Sequence, residues 1–194
     1  MRKLIYFIFF VLLSFELNAK TKPPFNNIIE HDKPKDYREI VFLDFEGNTI
    51  NLKEYKSKIY ILNFWATWCA PCKKEMPSLN HLAKKFKKEK LEIITIASGR
   101  NSISHIEDFF LKNEIDELPK FRDPSGKTAI SYKVIGLPTT IIVSSKGKEV
   151  GRILGDIDWQ KEEIYEFFNG LWQRRPRRNQ DKVLGPFDNR DRSR

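Results

Sequence analysis

The chain has 194 residues, 40% of them hydrophobic and 13% aromatic, which is enough for one domain with a real core and too few for two full ones. Such apolar content excludes global disorder, and the two cysteines cannot build a disulfide framework. A net charge of +9 suggests nucleic acid until it is divided: residues 1–19 carry +1, residues 173–194 carry +5, and the body keeps only +3. A nucleic-acid binder concentrates its charge on a folded face. Here most of it hangs from the ends, so no nucleic-acid partner is expected.

Arg2 and Lys3 precede a nearly unbroken apolar run of 12 residues, Leu4 to Phe15, followed by Leu17-Asn18-Ala19. This is the pattern of an export signal over residues 1–19, too short for a firm membrane span. Its other reading is an uncleaved anchor that ties the protein to the membrane through its N-terminus. Either places the domain outside the cytosol, where disulfide chemistry operates. Residues 20–36, with Pro23, Pro24 and Pro34, read as an extended linker.

From about Tyr37 the pattern becomes strand-like. Ile40–Leu43 and Thr49–Leu52 around Glu46-Gly47-Asn48 suggest a hairpin, and Ile59–Trp65 a strand buried on both faces. Helical spacing follows over Cys72–Lys90, with Met76, Leu79, Leu82 and Phe86 on one stripe and lysines opposite. That lysine row is expected to be a solvated face. Glu92–Ala97 reads as a strand and Ile103–Leu111 as a helix capped by Ser102 or Ser104. After a turn at Asp123–Gly126 comes a short helix over Thr128–Tyr132, then strands Thr139–Val143 and Glu149–Leu154. Trp159–Trp172 is predicted as a last helix capped by Asp158. Strands alternating with helices define an α/β domain over 37–172 with a partly parallel sheet. Residues 173–194, rich in arginine and poor in apolar side chains, read as a basic disordered tail.

Chemistry concentrates in Trp68-Cys69-Ala70-Pro71-Cys72. A Cys-x-x-Cys pair after a buried strand and at a helix start puts the first cysteine by unpaired backbone N–H groups and the positive helix end, which favour a thiolate. Cys69 is therefore expected to attack a partner's disulfide and Cys72, one turn further in, to resolve the mixed disulfide. Pro71 stiffens the loop between them. A zinc site would need further ligands, and His31, His81 and His105 lie at no ligand spacing. A structural disulfide across so short a loop would stabilise little.

The run Asn63-Phe-Trp-Ala-Thr-Trp-Cys-Ala-Pro-Cys-Lys-Lys-Glu-Met-Pro77 resembles the thioredoxin superfamily, in particular its TlpA-like and ResA-like exported thiol-disulfide oxidoreductases. Gly136-Leu-Pro-Thr-Thr140 is similar to the cis-proline loop of that family, and Gly155–Trp159 to TlpA-like members. The resemblance implies a thioredoxin-like fold: a central mixed sheet flanked by helices, with an N-terminal β-hairpin and a βα insertion between Cys72 and Pro138. It further implies that Pro138 follows a cis peptide bond, that the backbone of Leu137 pairs with an extended client segment, and that Trp68 lines that contact. Pro77 would kink the active-site helix. Glu75 matches an acidic residue held near the cysteines in ResA-like proteins. Its alternative is a solvated helix residue paired with Lys74 or a later lysine. Where cytosolic thioredoxin carries a buried proton-accepting aspartate, this chain has Asn63, which cannot take up a proton. No cofactor is implied beyond the Cys69–Cys72 pair. The implied partners are client proteins with cysteine pairs and a membrane thiol donor, in the bacterial periplasm, during cytochrome or cytochrome-oxidase assembly. A disulfide-forming oxidase and a non-catalytic assembly factor are the two other readings.

Overall fold

The computed structural model describes residues 27–36, 41–55, 59–86 and 90–173. The expected export signal and basic tail lie outside them. Eight strands form one sheet in the order β1-β8-β7-β4-β5-β6-β2-β3. They are β1 Ile28–Asp36, β2 Val41–Leu43, β3 Thr49–Asn51, β4 Ile59–Trp65, β5 Leu91–Ser98, β6 Lys120–Asp123, β7 Thr139–Ser144 and β8 Lys148–Leu154. Only β4–β5 and β5–β6 run parallel, as expected where α-helical crossovers join neighbouring strands. The helices are α1 Ala70–Lys85, α2 Ile103–Lys112, α3 Lys127–Ser131 and α4 Glu162–Gln173.

All seven residues of β4 are buried, because the strand is covered on both sides. Ile61 and Trp65 face Met76, Leu79 and Leu82 of α1, with Ile106 and Phe110 of α2 and Ile164 and Phe168 of α4. Leu62 and Phe64 point the other way, toward Phe42, Ala129 and Tyr132. The sheet thus has three helices on one face and α3 on the other, a mixed sheet flanked by helices with the hairpin β2–β3 at its edge. The stretch between Cys72 and Pro138 holds β5, α2, β6 and α3.

Four local features differ from the sequence expectation. Much of the anticipated linker is β1, an edge strand antiparallel to β8. Its polar, proline-containing sequence hid it, since an edge strand leaves one rim and much of its surface to solvent. Strand β6 was unread because four residues of mixed polarity, Lys-Phe-Arg-Asp, carry little periodicity. Helix α1 begins at Ala70, two residues before the predicted start, with Cys69 as its N-cap, and it runs through Pro77. Helix α4 begins at Glu162, so Trp159 sits in the preceding loop, fully buried at 1% exposure. Ser102 does cap α2, accepting from the His105 N–H at 3.2 Å. Lys84 and Lys85, on the solvated side of α1, pair with Asp116 and Glu162.

Candidate active site

The β4–α1 junction presents the cysteine pair. Cys69 and Cys72 form a disulfide with their Cα atoms 5.3 Å apart. Cys69 caps α1: its Sγ accepts from the Cys72 N–H at 3.3 Å, and its carbonyl accepts from the Lys73 N–H. The sulfur therefore lies on the unpaired N–H groups that stabilise a thiolate. Cys69 is 6% exposed and Cys72 is wholly buried. The turn before them is held by Asn101, whose Oδ1 accepts from the Thr67 N–H and hydroxyl at 2.8 and 2.9 Å while its Nδ2 donates to the Ser98 and Gly99 carbonyls. No sequence pattern marks this residue, which lies in a polar loop between β5 and α2.

At the start of β7, beside the end of β4, the Leu137–Pro138 peptide bond is cis. The Pro138 carbonyl accepts from the Gly155 N–H at 3.0 Å, tying this loop to the end of β8. Gly155 has φ 83°, a left-handed conformation that suits glycine. Between Trp68 and α3 opens an apolar groove of about 460 Å³, lined chiefly by Trp68, Ile130, Val134, Ile135, Gly136 and Leu137. Trp68, Ile130 and Ile135 are 65%, 73% and 90% exposed, a concentration of bare apolar surface of the kind found at interaction sites.

Beneath the disulfide, one helical turn after Cys72, Glu75 is buried at 2% exposure. It is no surface residue, and Lys74 instead pairs with Asp156 at 3.2 Å. Its Oε1 accepts from Asn63 Nδ2 at 2.8 Å; its Oε2 accepts from the Ile157 N–H at 3.2 Å and from Trp159 Nε1 at 3.1 Å. Asn63 also donates to Thr140 Oγ1 at 2.9 Å, and its Oδ1 has no partner among the described residues. Burial pushes the Glu75 carboxyl up to about 7, against the opposing pull of the bonds from Asn63, Trp159 and Ile157. A carboxyl that titrates near neutrality can give or take a proton under working conditions. Trp159 and the Ile157 N–H belong to the Gly155–Trp159 stretch, and no sequence pattern marks their bonds to Glu75.

The structure thus brings Trp68, Cys69, Cys72, Glu75, Leu137 and Pro138 to one end of the sheet. Among the described residues no cluster of three or more His, Cys, Asp or Glu could hold a metal.

A redox disulfide capping a helix on a mixed sheet, with a cis-proline at the same end of that sheet, defines a thiol-disulfide oxidoreductase of thioredoxin-like fold. The chain belongs to the AhpC/TSA family, whose model matches residues 34–149. It is 36% identical over 137 residues to the thiol-disulfide oxidoreductase ResA of Bacillus thuringiensis subsp. konkukian (strain 97-27), covering 71% of this chain and 77% of that one. To ResA of Bacillus subtilis (strain 168) it is 33% identical over 134 residues, 69% and 73% of the two chains. A secreted thiol-disulfide isomerase from Corynebacterium glutamicum shares the fold with a TM-score of 0.64 and 22% identity, over 78% of this chain and 95% of the other.

Proposed function

We propose that the protein is an exported reductase of client disulfides in the bacterial envelope, acting in cytochrome or cytochrome-oxidase assembly. Its cysteine-bearing clients dock along the groove between Trp68 and Leu137, adding an extended segment against the Leu137 backbone beside Pro138. Cys69 thiolate attacks one sulfur of the client disulfide, and a client thiolate leaves. Cys72, its proton passed to Glu75, then attacks Cys69 Sγ; the second client thiolate leaves and the Cys69–Cys72 disulfide forms. Two electrons have moved to the client, and a membrane thiol donor returns them to the pair. Glu75 fits the role of proton acceptor because Asn63 cannot fill it.

The observation that carries the reading is the buried Glu75 carboxyl, titrating at about 7 one helical turn from a cysteine that must lose its proton to resolve the intermediate. Similarity to ResA proteins favours the same chemistry. Export rests on the leader at residues 1–19; no helix of the described residues is long and apolar enough to cross a membrane. The deciding measurement is the reduction potential of the pair, by equilibration in graded redox buffers and alkylation of free thiols. A value near −270 mV or lower is expected of a dedicated reductant, and one near −120 mV would establish a disulfide-forming oxidase instead.

A further inference from the structure

A second buried polar group lies on the other face of the sheet, away from Glu75. Glu149 of β8 is completely buried, and Arg152, three residues on, is 8% exposed. The guanidinium grips the carboxylate with two bonds, Nε to Oε1 at 2.6 Å and Nη2 to Oε2 at 2.7 Å. His31 of β1 bonds the same Oε1 through Nε2 at 2.6 Å; a carboxylate only accepts, so that nitrogen carries the hydrogen. His31 lies in the irregular stretch between Glu30 and Lys35, the paired residues on either side of the register shift against β8.

Burying such a pair costs desolvation that a hydrophobic replacement would avoid, so its presence calls for something besides stability. Two further bonds of Arg152 supply it. Nη2 donates to the Tyr132 carbonyl at 3.0 Å and Nη1 to the Lys133 carbonyl at 3.3 Å. These carbonyls stand where α3 ends. There the Val134 N–H bonds the Ala129 carbonyl and the Lys133 N–H bonds the Ile130 carbonyl, the paired closure that usually places glycine in the left-handed position. This chain puts Lys133 there, at φ 54°, a conformation disfavoured for a side chain with a Cβ and kept only when its surroundings hold it. From that turn the backbone runs through Val134, Ile135, Gly136 and Leu137 along the groove to Pro138.

We propose that Arg152, braced through Glu149 by His31, is a positioning residue for client docking: it holds the left-handed turn at Lys133 that aims the groove rim at the client. The inference rests on the groove being the client's seat, as proposed above. It gives the N-terminal edge strand a part in client affinity, and no part in the redox chemistry of the cysteines.

The test uses the full chain, reduced, against two oxidants: a synthetic peptide with a Cys-Ala-Ala-Cys disulfide, and glutathione disulfide as a small reagent that needs little of the groove. Arg152→Lys keeps the charge but not the fork, and should raise the peptide KM roughly tenfold, the equivalent of one net hydrogen bond. His31→Ala, a milder change at the strand edge, should raise it less, and His31→Gln, which keeps a donor, should restore it. In all three the glutathione rate, kcat for the peptide and the reduction potential should stay unchanged. The proposal fails if Arg152→Lys and His31→Ala both leave the peptide KM within about twofold of the parent, or if peptide and glutathione rates fall in parallel. A parent chain inert toward both disulfides would overturn the proposed function and this inference with it.

Discussion

Glu75→Gln isolates the cost of keeping an acid under the disulfide. The Glu75 carboxyl moves from an ordinary 4.5 to about 7, chiefly by burial. A raised carboxyl pKa means the folded state binds the proton more tightly than the unfolded one. The stability it lends is therefore fully present below pH 4.5 and is lost as pH rises through about 7. The whole displacement corresponds to about 3 kcal/mol, of which about 2 to 3 falls between pH 5 and pH 8. Glutamine keeps the shape and can still accept from the Ile157 N–H and Trp159 Nε1, the partners of Glu75 Oε2. Its new amide hydrogens can meet Asn63 Oδ1, which now lacks a partner among the described residues, once the Asn63 amide turns over. Urea unfolding of the disulfide-bonded protein at both pH values should show the parent losing about 2 to 3 kcal/mol more than the variant on going from pH 5 to pH 8. Equal pH dependence in the two proteins would refute the assignment of a neutral-range pKa to Glu75.

Two further outcomes follow from the surface and the loops. A Cβ placed on Gly136 would meet nothing within 4 Å, and no left-handed φ demands glycine there, so Gly136→Leu should fill the groove and slow exchange with the peptide disulfide about tenfold or more, with the melting temperature unchanged and glutathione disulfide still reduced at the parent rate. Asn101→Ala removes both bonds that hold Thr67 and should lower stability by about 1 to 3 kcal/mol in denaturant titrations; a variant as stable as the parent would show that the turn before Cys69 is held by packing alone.

What the sequence disclosed divides along physical lines. Strand β4 was legible because a strand covered on both faces must be apolar throughout. The disulfide was legible because the spacing of Cys69 and Cys72 is local, and the cis bond at Leu137–Pro138 because a sequence motif resembled a known loop. Glu75 could be named, yet its burial could not, since the side chains that enclose it come from β4 and from the loop at Ile157–Trp159, over 80 residues further on. Strand β1 was concealed by its own role: a polar edge with Pro34 reads as linker until β8 is beside it. Arg152 belongs to the same class. In sequence it is one charge among 35 basic residues, and only the fold shows that its fork closes on Glu149 and on two carbonyls at the end of α3.

Two of the buried carboxyl groups, Glu75 and Glu149, divide the domain's electrostatics in a way that bears on function. Glu149 is compensated: Arg152 and His31 surround it, so its charge is matched inside the protein and holds a backbone turn. Among the described residues, the donors to Glu75 are neutral, an amide, an indole and a backbone N–H, which offset part of its desolvation but supply no opposite charge. That difference lets the Glu75 carboxyl titrate near neutrality, and a lysine or arginine placed against it would remove the property by fixing the charge. The nearest candidate in sequence, Lys74, is directed away to Asp156. An acid kept without a counter-ion costs stability above neutral pH, and in the function proposed above that cost maintains a proton acceptor one helical turn from Cys72.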